Sequence, residues 1–578
     1  KSRPQQNNNA AYHGSLLGLQ ARSFQGIATC MSILLPDLET LTLRQQVAQM
    51  VVVRASGYLF DHQIRYPQWE PPLATLTDWL THWGVGGVIL LGGSAAELAL
   101  RIQQLQELAP IPLLVAADVE EGVGQRFPGA TWFPPPMALG AIAQTDREAA
   151  LHLAKEMGRV TAQEAHAIGL NWVLAPVTDV NNNPANPVIN IRAFGETPEL
   201  VSAIAAAFIQ GAKAAPVLTV AKHFPGHGDT AVDSHFDLPT VPHAIERLRQ
   251  IELPPFQAAI AAGVNSVMTA HLRIPALDAT YPATLSDRLL TKELRQRLGF
   301  EGLIVTDALI MGAIANTYGP NEAAVLAVEA GADILLMPGD PVGAIQAVCQ
   351  AVEEGRITAT QIRATVERIW HAKQTVCCPP VAGATSHTWE TVTPSIHPHH
   401  LTSHLAHPNS HAIAETILQR SLRAHVPQPL ATNPAPQARN LIMIDNALNS
   451  KEVGHQSPAI AIPARYGYQV QVVDENTPTP CVPTSSDPPQ PTLLQLFIRG
   501  NPFRGQAGLT QRAQVWFDYL LHSQQLQALV IYGSPYVLDE FLPHLPPDLP
   551  YVFTYGQMPA AQAIALQTLW GTPPVAKI

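Results

Sequence analysis

Between about residues 40 and 376, short apolar runs alternate with longer stretches of helical periodicity, and this alternation constrains the fold most. Apolar runs occur at 86–91, 113–116, 172–174, 218–220, 266–269, 303–305 and 334–337. A further run, 51–53, follows a helix-like stretch at 41–50. Helical patterns fill the intervals, for example 148–168, 198–214, 255–262 and 321–330. A run that is apolar at every position fits a strand covered on both faces, as in a parallel sheet. Repetition through seven or eight strand–helix units favours a closed barrel over an open sheet. The expected fold class is therefore α/β, with a TIM-type (β/α)8 barrel over 31–376.

In such a barrel, polar residues just after the strands gather at one mouth. Asp118 follows the run 113–116, and Asp179 with an Asn-rich loop reaching Arg192 follows 172–174. Lys222-His223 follows 218–220, His271 follows 266–269, and Asp307 follows 303–305. Core packing gives no reason for carboxylates, cations and imidazoles to recur at strand ends. The segment 222–239 is the richest, and its two glycines and Pro225 predict a long loop. Within it, Asp233 and His235 stand two residues apart. That spacing permits a carboxylate to orient an imidazole, as in a catalytic dyad. It equally permits two side chains that merely cap turns.

The loop 222–239 resembles the signature loop of glycoside hydrolase family 3, in its β-N-acetylglucosaminidase branch. Further motifs agree, in order: Ala175-Pro176-Val177-Thr178-Asp179-Val180-Asn181, Asn186-Pro187-Val188-Ile189 through Arg192-Ala193-Phe194-Gly195, Val267-Met268-Thr269-Ala270-His271, and Val305-Thr306-Asp307-Ala308-Leu309-Ile310-Met311. The resemblance covers about 40–376. It implies a retaining glycosidase that removes terminal, non-reducing β-linked N-acetylglucosamine. Asp307 would attack the anomeric carbon, His235 would serve as acid and then base, and Asp233 would support His235. Retaining glycosidases usually pair two carboxyl groups about 5–5.5 Å apart. A histidine departs from that habit, but its ordinary pKa of about 6.5 suits both proton transfers. The same resemblance assigns sugar binding to Asp118, Arg126, Arg192, Lys222 and His223.

One departure stands out. Where the family reads Asp-x-Glu-Gly-Gly-x-Val-x-Arg, this chain reads Asp118-Val119-Glu120-Glu121-Gly122-Val123-Gly124-Gln125-Arg126. Glu121 replaces a glycine and Gly124 replaces the valine. No metal or organic cofactor is implied. The alternatives are a β-glucosidase or an N-acetylglucosaminide phosphorylase of the same fold, or a non-catalytic sugar-binding protein. The expected partner is a carbohydrate, either an N-acetylglucosamine-containing glycoside or a muropeptide from the cell wall.

Composition bounds the rest. The 578 residues carry 34 basic and 45 acidic side chains, a net charge of −11, which disfavours a nucleic-acid surface. Hydrophobic residues reach 47%, yet no run attains the ~18–20 residues of a membrane span. Five cysteines without ligand spacing fit a reduced compartment, and no secretory signal is visible, so a cytoplasmic monomer is expected. Residues 1–30, rich in Gln and Asn, are expected to be a disordered arm. Of the 52 prolines, 26 fall in 377–578, so a boundary is placed near Cys377. The segment 377–411 is expected to be a linker. It holds His387, His397, His399, His400, His404, His407 and His411, whose irregular spacing favours low complexity over a metal site. Apolar runs at 441–444, 470–473, 493–497, 528–531 and 551–553 predict a smaller α/β sandwich domain over 412–578.

Overall fold

The computed structural model describes residues 35–230, 238–377, 398–434, 437–477, 490–499 and 511–571. The expected arm 1–30, residues 378–397 of the expected linker, and Asp233 with His235 lie outside these. The apolar runs of the first part form eight strands. They are β1 (Val51–Ser56), β2 (Gly87–Leu91), β3 (Leu114–Ala117), β4 (Trp172–Val173), β5 (Leu218–Phe224), β6 (Ser266–Thr269), β7 (Leu303–Val305) and β8 (Leu335–Leu336). Each pairs in parallel with its sequence neighbour from β1 to β7, and β8 pairs with β1. A parallel bridge between Val305 and Ile334 joins β7 to the approach of β8, so the sheet curls into a nearly closed barrel.

The strands match expectation closely, with one informative difference. β5 runs on to Phe224, so Lys222 and His223 lie within the strand rather than in a loop after it. Its pairing with β6 shifts register between Lys222 and Phe224. All seven residues of β5 are buried, which places a cation and an imidazole inside the barrel mouth.

The helices form where caps and periodicity agree. Helix Arg147–Ala167 starts at Asp146, whose carboxylate accepts the Ala149 N–H at 3.0 Å. It buries Ala150, Leu153, Ala154, Met157 and Val160, the i, i+3, i+4 stripe of a helix facing a core. Its neighbour, Pro198–Ala212, approaches so closely that only glycine fits between them. A Cβ at Gly158 would lie 2.1 Å from the Phe208 carbonyl oxygen, and one at Gly211 would lie 1.9 Å from that of Lys155. Gly158→Ala is therefore expected to destabilise the barrel by about 1–3 kcal/mol despite the better helix propensity of alanine. A chemical denaturation midpoint equal to that of the wild type would contradict this.

The second part builds a six-stranded sheet in the order β11-β10-β12-β13-β14-β9. Its strands are β9 (Arg423–His425), β10 (Arg439–Ile444), β11 (Gln469–Val473), β12 (Thr492–Ile498), β13 (Leu526–Gly533) and β14 (Tyr551–Thr554). Five are parallel, and β9 is an antiparallel edge strand that the sequence reading did not contain. All three of its residues are exposed, so it carries no apolar signal. Helices Pro458–Arg465 and Pro559–Trp570 share an apolar cluster with Ile442, Leu493 and Val530 on one sheet face. On the other face Leu441, Leu494 and Leu529 join the cluster that includes Phe517 and Phe541, whose rings meet at 4.4 Å. This is the expected α/β sandwich. Helix Pro408–Ser421 leads into it, and Arg420 near its end pairs with Asp146 at 2.8 Å. No helix among the described residues is long and apolar enough to cross a membrane.

Candidate active site

The strand-end residues meet through a carboxylate that sequence reasoning treated only as a motif letter. Glu120, two residues past Asp118, is buried and accepts a two-pronged bond from Arg192, with Nε to Oε2 at 2.9 Å and Nη2 to Oε1 at 2.8 Å. Lys222 Nζ lies 2.7 Å from the same Glu120 Oε1 and 2.7 Å from Asp118 Oδ1. Arg126 joins through Nε, which donates to the Asp118 main-chain oxygen at 3.0 Å. Three of the five expected sugar-binding side chains, Asp118, Arg192 and Lys222, thus form one ionic network with Glu120 across β5 and the loops after β3 and β4, and Arg126 joins it through the Asp118 main chain.

The electrostatics follow from burial. Desolvation alone would raise the Glu120 pKa, but the charges of Arg192 and Lys222 and their hydrogen bonds hold it well below the usual carboxylate range. Burial alone would lower the Lys222 pKa, but Asp118 and Glu120 raise it above the ordinary lysine value. The site therefore keeps its ions at neutral pH. Asp118 is the outward end: its side chain is 39% exposed, against 2% for Lys222 and 5% for Glu120. Of the three, it is the side chain that solvent reaches.

His223 is held by Asp179, a residue placed at the mouth by its strand-end position but given no role. Asp179 is fully buried and accepts from His223 Nδ1 at 2.8 Å and from the His227 main-chain N–H at 2.7 Å. Burial opposes its ionisation, yet His223 and His227 bring its pKa below the ordinary value. An ionised Asp179 fixes the His223 proton on Nδ1 and leaves Nε2 as the second nitrogen of the ring. His227 is pushed down to about 4, first by burial, so it is neutral at pH 7. The Asp307 charge is among those acting on it.

Asp307 sits two residues past β7. Its N–H donates to Thr269 Oγ1 at 3.3 Å, and its Oδ1 accepts the Ala308 N–H at 2.8 Å. His271, after β6, reaches the Ala308 carbonyl oxygen through Nε2 at 3.1 Å and Thr284 Oγ1 through Nδ1 at 2.8 Å. That histidine braces the turn that presents Asp307. Asp233 and His235 are outside the described residues. The chain that enters and leaves their segment is clasped by Asp229, which accepts from His243 Nε2 at 2.8 Å and Arg247 Nη2 at 2.9 Å. Gly228 packs tightly on the loop after β4, since a Cβ there would fall 1.7 Å from the Val180 carbonyl oxygen. Among the described residues, no group of three or more His, Cys, Asp or Glu side chains is arranged to hold a metal.

Known proteins resemble this chain in both of its parts. Residues 42–372 match the model of the glycosyl hydrolase family 3 N-terminal domain, and residues 431–571 match that of the bacterial family 3 C-terminal domain. A beta-hexosaminidase A of Pseudoalteromonas piscicida is 36% identical over 285 residues, 46% of this chain and 47% of its own. The match thus spans about half the length of that relative. A beta-hexosaminidase of Xylella fastidiosa (strain M23) is 39% identical over 264 residues, 45% of this chain and 78% of its own. Among solved structures, a family 3 beta-N-acetylglucosaminidase from Paenibacillus sp. str. FPU-7 superposes with a TM-score of 0.71 at 28% identity, covering 93% of this chain and 100% of the other. A beta-glucoside phosphorylase superposes at 0.73 with 22% identity, covering 92% of each chain, which speaks to fold alone.

Proposed function

The chain belongs to glycosyl hydrolase family 3, and from that premise we propose that it is a retaining glycosidase that removes terminal, non-reducing β-linked N-acetylglucosamine. The observation that carries this reading is the buried Glu120. It gathers Arg192 and Lys222, and through Lys222 the outward Asp118, at the strand ends of the barrel that also presents Asp307. Charged groups fixed in advance and largely withdrawn from water suit recognition of sugar hydroxyls, because each bond is charge-assisted and directional.

In the proposed reaction, Asp118, Arg126, Arg192, Lys222 and His223 hold the terminal sugar. Asp307 attacks the anomeric carbon as the glycosidic bond breaks, forming a glycosyl ester. His235, oriented by Asp233, gives its proton to the departing oxygen. It then takes a proton from the water that cleaves the ester, which restores both groups. An N-acetylglucosaminyl muropeptide is the natural substrate class that fits this reading.

The test compares nitrophenol release from the 4-nitrophenyl β-N-acetylglucosaminide and the β-glucoside, with and without inorganic phosphate. We expect kcat/KM to favour the N-acetylglucosaminide by roughly 100-fold or more, with phosphate leaving the rate unchanged. Preference for the glucoside would point to the β-glucosidase alternative. A phosphate-dependent rate yielding a sugar 1-phosphate would point to the phosphorylase. Absence of turnover on both glycosides would overturn the catalytic reading.

A further inference from the structure

The departure at Glu121 has a partner in the second domain. Glu121 is buried to within 1% of full exclusion, and its Oε1 accepts from Arg499 Nη2 at 2.7 Å. Its Oε2 accepts from Trp132 Nε1 at 3.0 Å. Arg499 directly follows β12 of the C-terminal sheet, 378 residues along the chain from Glu121. The end of β12 is fixed in turn by β13. Ser534 N–H donates to the Ile498 carbonyl oxygen at 2.9 Å, and Gly533 admits that approach because a Cβ there would lie 2.2 Å from the same oxygen. Glu121 is also the next residue after Glu120, which holds Arg192 and Lys222.

The backbone here has little freedom. Gly122 takes a φ of +81°, and a Cβ at that position would sit 2.7 Å from the Thr131 carbonyl oxygen. A Cβ at Gly124 would sit 2.4 Å from that of Ala130. The second family departure, glycine for valine, thus serves the same tight loop. A second contact reinforces the first: Tyr536, after β13, donates to Glu196 at 2.6 Å and accepts from Asn181 at 2.8 Å, on the loop that carries Arg192. Residues just beyond β12 and β13 therefore grip the two barrel loops that supply Glu120 and Arg192.

We propose that Arg499 is a positioning residue of the sugar site, supplied by the C-terminal domain. Through Glu121 it holds the loop after β3 where Glu120 and Asp118 engage their cations. The inference rests on the glycosidase reading above. Its physical basis is that a fixed geometry of charged groups is worth rate and affinity, and that a shift of about 1 Å from a remote change costs up to 100-fold.

The experiment measures kcat and KM on the nitrophenyl N-acetylglucosaminide for full-length Arg499→Met, Arg499→Lys, Glu121→Gln and the double variant Glu121→Gln/Arg499→Met. Arg420→Met serves as the control, since it breaks the ion pair to Asp146 on a helix rather than on a strand-end loop. Arg499→Met is expected to lower kcat/KM by roughly 10–100-fold, mainly through KM. Arg499→Lys recovers part of the loss. The double variant is no worse than the more damaged single, because both changes break one interaction. It also removes both charges, so it reports on KM even if a single variant with an unpaired charge fails to fold. Arg420→Met keeps KM within about twofold of the wild type. A wild-type KM in the Arg499→Met or double variant, with the wild type active, overturns this inference alone. An inactive wild type overturns the glycosidase reading and this inference with it.

Discussion

Asp307→Asn is expected to lower kcat/KM about 10⁴-fold or more while the protein stays folded. The amide has nearly the shape of the carboxylate, and its oxygen still accepts the Ala308 N–H that meets Asp307 Oδ1 at 2.8 Å. What it lacks is the negative charge that, in the proposed reaction, attacks the anomeric carbon and is discharged into the ester bond. An unchanged melting curve beside a collapsed rate therefore separates chemistry from folding. Treatment of the wild type with a 5-fluoro-N-acetylglucosaminyl fluoride supplies the complementary result. The fluorine slows both steps, the fluoride leaving group favours the first, and the ester accumulates. Peptide mapping is expected to find the added sugar mass on the peptide containing Asp307, and on no peptide of the Asn variant. Label on another carboxylate, or substantial turnover by Asp307→Asn, would remove Asp307 from the role. His235→Ala makes a graded companion. It is expected to slow a glycoside with a basic leaving group far more than the nitrophenyl one, since nitrophenolate departs with little help from an acid.

The barrel was legible because its strands advertise themselves. Runs such as Leu303–Val305 and Ser266–Thr269 are apolar at each inward and outward position, or carry a small hydroxyl, and both faces are covered. Helix Arg147–Ala167 was legible from its cap and its stripe. β9 was not, because three exposed residues at a sheet edge need only backbone pairing to Tyr551–Phe553. The end of β5 was misread for a different reason. Lys222 and His223 look like loop residues, and they sit in a buried strand because Asp118 and Glu120 pair with the lysine there and Asp179 hydrogen-bonds the imidazole. Local patterning carries no trace of partners that arrive from other strands. Glu120 shows the same limit: its role depends on Arg192, 72 residues away, and no window of sequence contains both. The available signal was position alone, since Glu120 stands three residues past a strand end, two after Asp118. Glu121 could be recognised as unusual only against the family motif, and its explanation lay in the other domain.

The two carboxylates on Lys222 should separate cleanly under mutation. Glu120→Gln leaves Arg192 and Lys222 with a neutral amide that cannot balance either charge, and both cations are largely withdrawn from water. Removing one member of a buried ionic group costs about 3–5 kcal/mol, so the variant is expected to unfold at markedly lower denaturant at pH 7. The pH dependence has a fixed sign. Glu120 has a folded pKa well below its unfolded value, so its stabilisation is fully present above about pH 4.3 and is lost as pH falls through the folded pKa. The gap between wild type and Glu120→Gln should therefore be widest near neutrality and narrow in acid. Asp118→Asn should behave otherwise. Its carboxylate is 39% exposed and screened by water, and Lys222 keeps Glu120, so the stability change should stay within about 1 kcal/mol. Its KM should nonetheless rise by roughly tenfold or more, since the proposed reaction makes Asp118 the ionic acceptor for a sugar hydroxyl. The opposite pattern, a stable Glu120→Gln and an unstable Asp118→Asn with normal KM, would mean that the outward carboxylate holds the scaffold and the buried one does not.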